Sequence, residues 1–522
     1  MNKRKVYLGP NDNSMKEQLQ NLALDYLHKN KGDRFFYLLP NRELLTNYRN
    51  EFIDKLGVAL DMNFITFDDI VMKITEGKVI KLASDPIKKI VLRKVLKDLE
   101  KKGLLNYYKS FTDYNGFVES CIYIIGVIKR SLITSDQYLL NCPDSSFYRE
   151  IGLVYEEYDK ELNRQGYADK DGLYLESINL LKNNKDFLHD LDFIIIDEFY
   201  DFRPIELEII NLLKDLDIDI YINIPFQIEN QNKRLDETTN ALTGLGFEIV
   251  KIFKNNFKEF EQLGQILFDN GEKKVEANIE LIKASSMYLE IKKILKVIKN
   301  NYRNKAMGLN DNCICTFNNE YINMIFKVAK EEKLPIAMDY SIPLKSLPLT
   351  REIISLIEFT IYSGDKEIFL NRLKSAYLSL SNKESRDRLE YILRKANFYN
   401  IEDLWKMINE NKSMDIAEKY RDEIKDIILH LKDELNSLKG KHTLEEFNEK
   451  LLFILKDYSI EEKIVDRFKI NENYQLFQRD LSNLKTIMDI LLNMDATYFS
   501  EDKIDLDEYL MILLDYFEEE KS

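Results

Sequence analysis

The opening stretch of the chain limits its architecture most. Apolar runs at Val6–Leu8, Phe35–Leu39 and Phe64–Thr66 alternate with amphipathic stretches near Met15–His28 and Arg42–Leu56. Strands buried on both faces read as unbroken apolar runs, and a helical crossover between two of them makes the pair parallel. This βαβ rhythm predicts an α/β fold built on a parallel sheet. From about Asp85 to Lys185 the pattern becomes helical, with Ile87, Ile90, Val91, Val95 and Leu96 spaced as one apolar face. Strand signals return at Phe193–Asp197, Ile218–Ile224 and Phe247–Phe253.

The simplest division has a first α/β domain over 1–84 and 186–278, interrupted by a helical insertion over 85–185. A second α/β segment is expected over 279–348, with strands at Ile279–Lys283 and Cys313–Phe317, followed by a helical region over 349–522. That second sheet is expected to be partial, with an exposed edge, because no run of buried strands follows Leu349. Scarce glycine (17) and proline (9) fit long helices joined by compact turns.

Composition excludes several classes. No apolar run reaches the roughly 18 residues that span a bilayer, and the first residues lack a signal-peptide core, so a cytoplasmic protein is expected. Cys121, Cys142, Cys313 and Cys315 form no disulfide framework. Cys313 and Cys315 are expected to face into a buried strand rather than to bind metal. The four histidines are dispersed, and no serine or cysteine sits in a nucleophile motif, so hydrolase and metalloenzyme readings lack support. The net charge is −15, yet residues 1–130 hold 23 Lys and Arg against 16 Asp and Glu. An acidic protein can still bind DNA through a local basic groove.

The sharpest motif is FIIIDEFYDFRPIELEII, residues 193–210. A buried strand ends there in Asp197 and Glu198, and open α/β sheets bind ligands at that edge. In a P-loop NTPase an aspartate in this place holds Mg²⁺ and the following glutamate can orient water. The structural alternative is a solvated strand end. The required partner is a loop of form GxxxxGK[ST] after the first strand. The chain offers Gly9-Pro10-Asn11-Asp12-Asn13-Ser14-Met15-Lys16. Only the first glycine survives. Met15 stands where the phosphate-binding lysine belongs, Lys16 where the metal-binding hydroxyl belongs, and Asp12 adds negative charge. No cofactor is expected, with Mg-ATP only if the chain is an active ATPase with an atypical loop.

Three stretches of the first half, YLLPNRELLTNYRNEF, NFITFDDIVMKI and IIIDEFYDFRPIELEII, resemble the N-terminal half of the AddB/RexB family, relatives of superfamily 1 helicases. Farther on, SSMYLEIKKILKVIKNNYRN and CICTFNNEYINMIFKVAKEEKLPIAMDYSIPLKSLPLTREIISLIEF are similar to the opening of that family's second helicase-like domain. The resemblance implies RecA-like (P-loop NTPase-like) domains with helical insertions and a DNA-binding role in double-strand-break repair by recombination. It also implies an AddA-like motor helicase-nuclease subunit as partner, and a C-terminal nuclease. The chain departs from the pattern. Ala284-Ser285-Ser286 replaces an arginine expected before the helix at Leu289–Ile298, and Asn301-Tyr302-Arg303 falls after it. Ile224-Pro225-Phe226-Gln227 replaces Gly-Asp-x-x-Gln. These departures, with the eroded loop, predict a subunit silent as an ATPase, whose degenerate nucleotide site is Gly9, Lys16, Asp197 and Glu198.

The resemblance also implies single- or double-stranded DNA contact through the loops after the second and third strands, at Asn41, Arg42, Thr66 and Phe67. Amides and hydroxyls can hold phosphates, and an aromatic ring can stack a base. Asn41 and Thr66 can equally cap the helices that follow them. The helix DPIKKIVLRKVLKDLEKK sets Lys88, Lys89, Arg93, Lys94, Lys97, Lys101 and Lys102 opposite its apolar stripe; this face is either a solvated surface or a DNA rail. Two other functions stay open: an active ATP-dependent helicase subunit with an atypical loop, and a helical protein-interaction scaffold.

Overall fold

A computed structural model of the chain describes residues 3–10, 14–57, 62–78, 80–183, 188, 190–225, 233–252, 279–318, 320–337, 343–379, 383–410, 418–494 and 503–520. Contacts group the chain into two units, Met1–Glu280 and Leu281–Ser522.

The first unit opens with strand β1 (Arg4–Gly9), helix α1 (Ser14–His28), β2 (Phe35–Leu38), α2 (Arg42–Leu56), β3 (Phe64–Ile65) and α3 (Phe67–Thr75). A short pair, β4 (Lys81–Leu82) and β5 (Tyr167–Ala168), brackets four helices: α4 (Asp85–Lys101), α5 (Asn115–Arg130), α6 (Ser135–Asn141) and α7 (Ser146–Arg164). The main sheet then resumes through α8 (Lys170–Asn183), β6 (Phe193–Asp197), α9 (Pro204–Leu213), β7 (Asp219–Pro225), α10 (Lys233–Gly244) and β8 (Glu248–Lys251).

The main sheet has six strands in the order β3-β2-β6-β7-β1-β8, and every adjacent pair runs parallel. Its two faces divide cleanly by residue parity. Val6, Leu8, Phe36, Leu38, Ile194, Ile196, Ile220 and Ile222 pack on one side with residues of α3, α8 and α9. Tyr7, Phe35, Tyr37, Phe193, Ile195 and Tyr221 pack on the other with α1 and α2. Successive side chains of a strand point to opposite faces. A sheet covered on both faces must therefore be apolar at every position, which is why β6 reads Phe-Ile-Ile-Ile.

From β1 the chain crosses past β7 and β6 to reach β2 and β3, then returns to β6 and β7. Reversals of this kind open a crevice beyond the carboxyl ends of the strands.

The second unit differs from expectation. Among its described residues no strand forms: Cys313–Phe317, and Ile279–Lys283 at the boundary of the two units, lie in no ladder. Two helices, Met287–Arg303 and Glu320–Glu332, pack through Ile291, Leu295, Ile325 and Val328. They shelter Ile314, leaving Cys313, Cys315 and Phe317 exposed. The expectation of a buried strand holding the cysteines is therefore corrected. Alternating apolar residues supply a strand's side chains, but a strand also needs a neighbour to satisfy its backbone groups. From Pro348 onward the described elements are helices, those between Phe359 and Leu435 packed around Phe369, Leu389, Leu404, Ile428 and Leu431.

Candidate functional site

The crevice at the carboxyl edge gathers side chains from β2, β6, β7, α1 and α2. Asp197 and Asn223 sit opposite each other in register on β6 and β7, and Tyr37 lies on the neighbouring β2. All three have odd numbers and so project to the α1–α2 face. On α2 the buried positions Leu45, Tyr48 and Phe52 follow helical spacing and bring the Tyr48 hydroxyl to the same point.

Asp197 is fully buried. One of its oxygens, Oδ1, accepts from Asn223 Nδ2 at 2.8 Å and from the backbone N–H of Glu198 at 2.9 Å. The other, Oδ2, accepts from the hydroxyls of Tyr37 at 2.6 Å and Tyr48 at 3.2 Å. A carboxylate offers about four lone-pair sites; three donors are committed to Asp197, and the single Tyr48 proton is shared between it and Glu198, which lies nearer to the hydroxyl. Burial pushes the Asp197 carboxyl above its ordinary range, against the opposing pull of the Asn223 and Tyr37 hydrogen bonds and the Lys16 charge. Burial also drives the Tyr37 and Tyr48 hydroxyls upward, assisted by the Asp197 charge.

Glu198 takes a left-handed backbone conformation, φ 66°, which turns the chain out of the strand at a cost of about 1 kcal/mol for a residue other than glycine. Its side chain accepts from Tyr48 Oη at 2.8 Å and pairs with the ammonium of Lys16. That ammonium lies 5.5 Å from the centre of the Tyr48 ring. Lys16 and Glu198 have side chains only 17% and 11% exposed, so this is a shielded pair with a carboxylate at one end and an aromatic face beside it.

Of the residues expected at the degenerate nucleotide site, the structure brings Lys16, Asp197 and Glu198 together, and Gly9 ends β1 beside them, in register with Pro225. Asp12 and the Phe226-Gln227 pair lie outside the described residues, as does Phe253. Sequence reasoning missed Tyr37, Tyr48 and Asn223. The available signal was Asn223, a polar residue within the apolar run IYINIP, because a buried amide needs partners.

The expected DNA residues separate. Asn41 caps α2, its side chain accepting from the Leu44 N–H at 2.9 Å. Arg42 has a side chain 68% exposed and pairs with Asp69 at 2.5 Å. Thr66 is buried in a capping box with Asp69. Phe67 is 3% exposed and meets Phe199 edge-on at 5.5 Å, so the ring expected to stack a base belongs instead to the core of the first unit. On α4, Arg93 is buried and donates to Asn115 at 3.0 Å. Lys88 pairs with Asp85, Lys89 with Glu119 at 2.9 Å and Lys94 with Glu161 at 3.2 Å. Four of the seven cations of the expected rail are thus engaged by neighbouring side chains.

Beside β3 lies a cleft of 590 Å³, lined by Arg42, Arg49, Lys73 and Lys78 against Asp69 and Glu76. Among the described residues no group of three or more metal-ligating side chains occurs, and no helix is long and apolar enough to cross a membrane.

Comparison with known proteins adds a family. A family model described as ADDB, N-terminal, matches residues 19–281. The chain is similar to the B subunit of the ATP-dependent helicase/deoxyribonuclease of Alkaliphilus metalliredigens, with 23% identity over 478 residues covering 78% of this chain and 40% of that protein. The Clostridium novyi protein of the same name is 25% identical over 485 residues, covering 84% of this chain and 41% of its own length. The one from Natranaerobius thermophilus is 23% identical over 543 residues, covering 87% and 45%. The chain spans about two fifths of the length of these curated relatives.

Proposed function

Because this chain belongs to the AddB family, whose N-terminal model matches half of its length, we propose that it is a DNA-binding, ATPase-silent helicase-like subunit. In this reading it works within a helicase-nuclease complex that repairs double-strand breaks by recombination. Its six-stranded sheet serves as the RecA-like platform, and motor chemistry comes from an AddA-like companion chain.

The burial of Asp197 among protein donors carries the ATPase part of the reading. A Mg²⁺ ion needs oxygen ligands with free lone pairs and room for its waters. Here Tyr37, Asn223 and the Glu198 N–H take three of the aspartate's positions, and the Tyr48 hydroxyl, shared with Glu198, stands at the fourth. Glu198, which would orient water, is engaged by Lys16 and Tyr48. The residues present therefore do not fit a Mg-nucleotide, and no step is routed through one. Titration calorimetry with Mg-ATP should give no saturable heat, and phosphate release should stay at background with or without DNA. Saturable binding together with turnover lost in Asp197→Asn would refute the reading.

For DNA, exposed Arg42 and the cationic cleft beside β3 support contact with the phosphate backbone near Asn41. Such contact is sequence-independent and weakens with salt. Single-stranded oligonucleotide affinity should fall as salt rises, with a slope reporting a few phosphates. A salt-independent affinity, or none, would favour the scaffold alternative.

A further inference from the structure

The two cysteines left exposed in the second unit lie against each other. Cys313 Sγ and Cys315 Sγ are 3.9 Å apart and share a hydrogen bond, and both residues are exposed. Sulfurs in contact at this separation stand within about 2 Å of a bonded distance.

The backbone around them leaves room for that movement. Residues 313–317 lie in no ladder and make no backbone hydrogen bond to another described residue. Cys313 borders a cavity of 840 Å³ and Cys315 one of 260 Å³, so neither sulfur is walled in. The other two cysteines of the chain differ. Cys121 is 1% exposed, and burial pushes its thiol up to about 12. Cys142 is half-buried, and its sulfur donates to the Leu139 carbonyl at 3.6 Å.

Two adjacent thiols suit either a soft metal or an oxidation. A structural zinc takes four ligands, and among the described residues no third histidine, cysteine or carboxylate joins the pair. Oxidation needs only the two sulfurs and an acceptor of two electrons.

We infer that Cys313 and Cys315 are a redox modification site, a dithiol that a low-molecular-weight disulfide such as oxidised glutathione converts to an internal disulfide. One thiolate attacks a sulfur of the small disulfide, forming a mixed disulfide and releasing one small thiolate. The neighbouring thiolate then attacks the protein sulfur of that mixed disulfide; the internal S–S bond forms and the second small thiolate leaves. The protein gives up two protons and two electrons, and the small disulfide is reduced to two thiols. Exposed disulfides are labile, so an excess of small thiol runs the sequence backwards. The site stands independently of the subunit reading.

Ile314 carries the consequence. It lies between the two cysteines, is half-buried, and packs with Ile291, Leu295, Ile325 and Val328 of the helices Met287–Arg303 and Glu320–Glu332. Drawing the two sulfurs together by about 2 Å shifts the residue that joins them, and a packed contact does not follow such a shift without loss. The oxidised form therefore opens this helix pair more often than the reduced form.

The test uses the full chain, reduced and then exposed to oxidised glutathione, with the tryptic peptide of residues 306–327 read by mass spectrometry. The peptide should lose two hydrogens, carry no glutathione, and regain the hydrogens with dithiothreitol. In Cys313→Ser or Cys315→Ser the remaining thiol has no neighbour to resolve it, so a lasting glutathione adduct should replace the internal bond. Phenylarsine oxide, which bridges adjacent thiols, should protect both cysteines of the reduced parent from iodoacetamide and protect neither single variant. Amide exchange in residues 287–303 and 320–332 should quicken severalfold on oxidation of the parent, with no change in the chain carrying both serines. The substitutions fall at exposed positions, and an unaltered melt establishes that each variant is folded; the parent's mass and its arsenical protection need no variant at all. A lasting glutathione adduct on the parent, no reaction, or a disulfide between two chains would each overturn the site. Unaltered exchange in the oxidised parent would overturn the coupling through Ile314.

Discussion

Replacing Lys16 with methionine tests most directly whether the crevice is held by the chain's own charges. Methionine keeps the length and apolar stem of the side chain but removes the ammonium from Glu198. The carboxylate would keep its hydrogen bond from Tyr48 at 2.8 Å, yet its side chain is 11% exposed and water can replace little of the lost partner. Breaking one end of a buried ion pair costs about 3–5 kcal/mol. The surviving Tyr48 bond and the partial exposure reduce this, so about 2–3 kcal/mol is expected. Spread over a unit of this size, 1 kcal/mol moves the melting temperature by about 2–4 °C, so the melt should fall by several degrees. The double change Lys16→Met with Glu198→Gln removes both charges and should recover most of the loss. Urea denaturation of the four proteins of this cycle gives the coupling energy directly. If Lys16→Met melts with the parent, or the double variant is no better than the single, the pair is incidental and the plugged crevice is the wrong picture.

Asp197→Ala should destabilise by at least about 3 kcal/mol, because the Tyr37 hydroxyl and the Asn223 amide lose a buried acceptor together; a neutral result by denaturation would contradict the buried hydrogen-bond cluster. Phe67→Ala should cost about 3–5 kcal/mol as a core truncation, whereas Arg42→Ala should leave stability within about 0.5 kcal/mol and reduce the salt slope of oligonucleotide binding by about 1. A folded Phe67→Ala protein with parental stability would return that ring to the list of DNA contacts. In the second unit, a hydrogen bond to Glu434 raises the His430 pKa, assisted by the Glu434 charge. A raised histidine pKa contributes stability that is complete below the unfolded value, near 6.5, and is lost as pH rises through the folded value. The stability difference between parent and His430→Gln should therefore shrink between pH 6 and pH 8; a constant difference would show that the contact is not linked to protonation.

Local pattern made the first unit legible. Unbroken apolar runs with helical spacers dictate parallel strands, and each of the main strands lies where such a run occurs, from Val6–Leu8 to Phe193–Asp197. The missing phosphate lysine was visible as Met15 in one dimension. The sequence also marked Asp197 and Glu198 as the end of a buried strand. It could not supply what surrounds them: Tyr37, Tyr48, Asn223 and Lys16 come from four elements up to 207 positions apart (Lys16 to Asn223), and only the strand order and shared face bring them to these two adjacent carboxylates. Phe67 shows the same limit. In sequence it is an aromatic at a loop end, and its burial follows from Phe199 and Phe202, which arrive from beyond β6. The strands expected in the second unit failed for the converse reason. Alternation in CICTF is a property of the chain, whereas a β-ladder is a property of two neighbours. Periodicity fixes which face a residue occupies; packing decides what meets it there.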